Sequence, residues 1–136
     1  MSQPLLIIEP QAYELWLDEK LLTRLAGGAA SLLGGAGPQL RESDIEAAIE
    51  HAEDWLMPFS KLFEGLQLKV NDKTGRLQHY LSGPEHHSVE QVEQAFSDTH
   101  YEVAHGRTKD SDAVADIVLL RELAHHGRLS GISVSY

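Results

Sequence analysis

Residues Ser43–Met57 read SDIEAAIEHAEDWLM, and this stretch commits the chain to a structure more firmly than any other. Ser43 followed three residues later by Glu46 is the pattern of a capping box, in which each side chain satisfies a backbone N–H at the start of a helix. Ile45, Ile49, Ala52 and Leu56 then recur at steps of three and four, which puts an apolar stripe on one helix face. Pro58 ends it. The opposite side carries Asp44, Glu46, Glu50, Glu53 and Asp54 with no lysine or arginine inside the helix to pair with them.

Upstream, Leu5–Ile8 is a run of four large aliphatic residues ending before Pro10, which predicts a short buried strand. Gln11–Ala26 carries two competing patterns. Tyr13, Leu17, Leu21 and Leu25 recur every four residues, whereas Tyr13, Leu15 and Leu17 alternate with Glu14, Trp16 and Asp18. The helix-forming composition of LDEKLLTRLA favours a helix over this stretch. Residues 27–38, GGAASLLGGAGP, match neither of the two glycine-rich phosphate-binding signatures, so they read as a helix cap followed by a flexible connection.

Downstream, LQLKV and RLQHYL flank NDKTG, the pattern of a β-hairpin. Ser88 and Gln91 form a second capping box opening a helix with Val89, Val92 and Phe96 on one side. The polar segment SDTHYEVAHGRTKD reads as a loop, or as a loop holding a short strand at Tyr101–Ala104. A third helix follows, capped by Asp110 or Ser111 and ended by Gly127. RLSGISVSY is then an edge strand beside the hairpin. Together these elements predict a single α+β domain over residues 1–136, with three or four helices packed on one face of a small, mostly antiparallel sheet.

Eleven basic against 21 acidic residues give a formal charge of −10, which excludes nucleic acid and anionic membranes as partners for the surface as a whole. Cysteine is absent, so disulfides, thiolate metal sites and cysteine nucleophiles are excluded, and a cytoplasmic location is the expectation. The start MSQPLLIIEPQ lacks the basic residues and the apolar length of a signal segment.

No G-x-S-x-G or H-E-x-x-H motif is present, and no catalytic residue can be named from the sequence. The leading expectation is a small accessory protein without catalytic activity or cofactor. It would dock another, basic protein through Glu46, Glu50, Glu53 and Asp54, with Trp55 as aromatic anchor, and pair with a copy of itself through an open sheet edge. The alternative rests on eight histidines: a metal-binding protein or small enzyme holding zinc or another divalent transition metal through His86, His100, His105, Glu122 and His126.

Overall fold

The computed structural model describes residues 2–136. Strand β1, Pro4–Glu9, lies where the aliphatic run predicts it. It pairs antiparallel with β2, Ala12–Leu17, which pairs antiparallel with β3, Lys20–Ala26. The helix expected over Gln11–Ala26 is therefore a hairpin. Alternation wins because Asp18 and Glu19 both adopt left-handed backbone, with φ of 50° and 68°, and reverse the chain in two residues. Asp18 is held there by Gln3, whose N–H donates to its carboxylate at 2.7 Å.

The glycine-rich stretch holds a short helix, α1, Ala29–Leu33. Gly28, at φ 54°, lies against β2 so closely that a Cβ on it would sit 2.7 Å from the Ala12 nitrogen. Helix α2 spans Glu42–Leu56. It starts ahead of the expected Ser43 cap, because the Asp44 carboxylate accepts from the Arg41 N–H at 2.8 Å and closes the helix end there. Ile45, Ala48, Ala52 and Leu56 are buried, and Glu46, Glu50 and Asp54 face outward.

A 3-10 segment, Met57–Phe63, leads to β4, Gln67–Asp72. The predicted hairpin does not form. Strand β4 instead runs parallel to β1 and to β6, Gly131–Ser135, and the chain after it folds into a 3-10 turn at Arg76–His79. Residues His86–His87 add a short strand, β5, antiparallel to β6. The sheet is thus six-stranded and mixed, in the order β3-β2-β1-β4-β6-β5, larger and less antiparallel than the sequence suggests. The C-terminal tail is an inner strand flanked by β4 and β5, not an edge.

Helix α3, Val89–Ala104, carries the predicted Ser88–Gln91 capping box. It also absorbs Tyr101–Ala104, one candidate for a strand. Helix α4, Ser111–His126, is capped by the Asp110 carboxylate, which accepts from the N–H groups of Asp112 and Ala113. It touches α1, α2 and α3, and its residues Ala113–Leu120 are all buried. Leu6, Ile8, Leu68, Val70, Ile132 and Val134 form the covered face of the sheet, while Gln67 and Lys69 between them are exposed. The α+β class holds, and no described helix is long and apolar enough to cross a membrane.

Candidate functional site

The three parallel strands β1, β4 and β6 end at Glu9, Asp72 and Ser135, and chemistry-bearing side chains gather at that end. Asp72 organises the exit from β4. One carboxylate oxygen accepts from the N–H and hydroxyl of Thr74 at 2.9 and 2.5 Å, and the other accepts from the Leu77 N–H at 3.0 Å. These bonds wind the chain into the 3-10 turn that carries Arg76, and the side chain thereby supplies what a hairpin ladder would have supplied.

Arg76 reaches across to α4 and grips Asp116 with two nitrogens. Nε donates to Oδ2 at 2.9 Å and Nη2 to Oδ1 at 3.0 Å. Tyr13, on β2, donates its hydroxyl to the same carboxylate at 2.5 Å. Asp116 has no exposed surface, and burial lifts its carboxyl to about 6, with Arg76 and then Tyr13 holding it from rising further. It is a carboxylate at neutral pH. Burial and the Asp116 charge push the Tyr13 phenol well above its ordinary range. For Arg76 burial works against the charged form, but the bonds and charge of Asp116 outweigh it and the guanidinium stays charged.

The outer part of this network meets solvent. Asp112, half-exposed on the first turn of α4, has its Oδ2 3.6 Å from Arg76 Nη1. Lys73, directly after β4, lies 3.8 Å from the Glu9 carboxylate at the end of β1. Beside them, at the end of β6, a cleft of about 640 Å³ opens between residues 78–87 and the C-terminal Ser135 and Tyr136. His87 lines it, and burial lowers the pKa of its imidazole. None of these residues stands out in the sequence. The one local signal was Asp72 in NDKTG, which is the spacing of a side-chain-stabilised turn as much as of a hairpin.

The residues expected to hold a metal are scattered, apart from two. His86 is exposed on β5, and His100 lies beside Phe96 on α3 with ring centres 6.1 Å apart. His105 closes α3, stacked on Tyr101 at 4.1 Å and bonded through Nδ1 to that residue's carbonyl. Glu122 and His126 do meet, at 3.2 Å, and the third group beside them is Glu53 of α2, at 3.7 Å from His126. Of the proposed docking face, Glu46, Glu50 and Asp54 are exposed. Trp55 is not a free anchor: its indole donates to Thr23 Oγ1 at 3.0 Å and its ring lies 6.3 Å from that of Tyr13.

No family model matches the chain, and no curated protein matches it. Solved structures do. A Ppx/GppA phosphatase from Aquifex aeolicus, the type II variant, superposes with a TM-score of 0.71 at 12% identity, over 98% of this chain and 53% of its own. Another structure of the Aquifex aeolicus Ppx/GppA family member gives a TM-score of 0.67 at 14% identity, over 98% of this chain and 52% of its own. An exopolyphosphatase from Cytophaga hutchinsonii gives 0.63 at 15% identity, over 98% and 52%. The chain spans about half the length of the structures it matches. The likeness establishes the fold, and it overturns the expectation of a non-catalytic, protein-binding accessory chain marked by its histidines, because the fold is one that solved phosphatases carry.

Proposed function

We propose that the chain works on phosphoanhydrides, hydrolysing the terminal bond of a polyphosphate at the carboxyl ends of β1, β4 and β6. The observation that carries this reading is the network of Tyr13, Asp72, Arg76, Asp112 and Asp116, drawn together from β2, β4, the 3-10 turn and α4 at the sheet end where open α/β sheets take their ligands. The fold shared with an exopolyphosphatase supports it by analogy.

In this reading Asp112 is the general base. Water attacks the terminal phosphorus, its proton passes to the Asp112 carboxylate, and the bridging oxygen leaves with the electron pair of the broken P–O bond. Arg76, pinned by buried Asp116, fixes the position of Asp112. The carboxylates of Glu9, Asp72, Asp110, Asp112 and Asp116 outnumber Lys73 and Arg76 here, so the substrate is polyphosphate as its magnesium salt and not the bare polyanion. A composition without cysteine suits a reducing, cytoplasmic setting for this work.

The test is orthophosphate release from magnesium polyphosphate by the purified chain. Release should fall about 100-fold or more in D112N, the span of a lost general base, with helix content unchanged. Wild-type protein that neither releases orthophosphate nor shifts its melting midpoint on addition of magnesium polyphosphate overturns the reading.

A further inference from the structure

We propose that Glu53, Glu122 and His126 bind a divalent transition metal ion, with zinc as the best-matched probe, and that the ion clamps α2 to α4. The three residues each present one donor atom, and these atoms all lie within 4.8 Å of one another. His126 Nε2 is 3.2 Å from Glu122 Oε1 and 3.7 Å from Glu53 Oε2. A tetrahedral ion with bonds of 2.0–2.2 Å places its ligand atoms about 3.4 Å apart, so the donors need little movement to close on one centre.

The surroundings fit a site with three protein ligands and one open position. Glu122 is 1% exposed, and the Arg121 guanidinium holds its Oε2 at 2.9 Å, which orients Oε1 toward His126 and offsets one of the two carboxylate charges. Arg121 is itself fixed by Glu93 at 3.1 Å. Glu53 and His126 remain partly exposed, with side chains 40% and 42% accessible, so solvent reaches the fourth position. One imidazole with two carboxylates is a donor set for zinc or its first-row neighbours rather than for calcium or magnesium. The ligands come from i and i+4 on α4 and from the facing turn of α2, so each helix contributes a donor from an already packed surface. Its two α4 ligands, Glu122 and His126, lie about 9 and 15 Å along the helix from Asp116, and the site does not depend on the phosphoanhydride reading.

Titrating the untagged chain with zinc chloride by calorimetry should show saturable uptake of one ion per chain. The melting midpoint should rise on the order of 10 °C at about a hundredfold excess over Kd. H126A and E53Q, both at partly exposed positions, should each weaken uptake at least tenfold while keeping the wild-type circular dichroism. H86A and H105A should bind as wild type does. Absence of stoichiometric uptake in the wild type overturns the proposal, as does uptake undiminished in H126A and E53Q. A magnesium polyphosphate assay on H126A reads out the other reading separately, and should be unchanged.

Discussion

Tyr13 and Asp116, 103 positions apart, share a hydrogen bond of 2.5 Å in the buried layer between sheet and helices. It ties the N-terminal hairpin to α4, and with Arg76 it leaves a fully buried carboxyl group bearing charge at neutral pH.

That charge sets a pH dependence opposite in sign to the usual carboxylate. The folded-state pKa of Asp116, about 6, lies above its ordinary 3.8, so the group's contribution to stability is full below 3.8 and is lost as pH rises through 6. At 1.36 kcal/mol per unit the loss is about 3 kcal/mol. D116N has no such titration. The stability of the wild type relative to D116N should therefore fall by about 2 kcal/mol between pH 4 and pH 7, read from urea denaturation of both proteins at each pH. A constant difference across that range would refute the assignment.

Asp72 should matter more than its size suggests. D72A leaves the buried Leu77 N–H and the Thr74 N–H without their acceptor, at a cost of about 2–4 kcal/mol, whereas T74A loses chiefly a hydroxyl contact and should cost about 1. Denaturant midpoints of the two variants make the comparison. Near-equal costs would show that the carboxylate does not organise the turn.

Gly28 and Gly35 both adopt positive φ, at 54° and 80°, but only Gly28 is pressed against another strand. G35A should cost about 1 kcal/mol for the backbone alone. G28A adds a clash with the Ala12 backbone and should cost several times as much, seen as a larger drop in melting midpoint.

Ser88 accepts from the Gln91 N–H at 3.1 Å while the Gln91 amide oxygen accepts from the Ser88 N–H at 2.7 Å. S88A should destabilise by about 0.5–2 kcal/mol, with S88G nearer wild type because glycine is tolerated at a cap. Chemical denaturation resolves a difference of that size.

The parts of the fold visible in the sequence are those fixed by local chemistry. Leu5–Ile8, the stripe of α2, the Ser88 cap and the span from Asp110 to Gly127 each carry their signal within a few residues. What escaped depended on distant partners. The β2–β3 hairpin turns on Asp18 and Glu19, residues without the glycine or asparagine that advertise left-handed backbone, and Asp18 is steadied by Gln3. NDKTG reads as a hairpin until Arg76 finds Asp116, 40 positions away, and until β1 and β6 take both edges of β4. The carboxyl-end network was illegible for the same reason. Glu122 and His126 share a helix face by their spacing alone, but their third neighbour, Glu53, sits in the sequence among the acidic residues of another helix.

Helix α4 has apolar residues around its whole circumference, so burial alone does not select its rotation about its axis. One interior charge does. Asp116 meets Arg76 of the 3-10 turn and Tyr13 of β2, both outside the helix, whereas the partners of Glu122, Arg121 and His126, ride on α4 and turn with it. Asp116 thus acts as a key on a shaft: a quarter turn or a one-residue slide would strand its carboxylate in hydrocarbon. Replacing it with leucine would leave a rod able to settle in several orientations, and the molecule would lose its single native arrangement before it lost its helices.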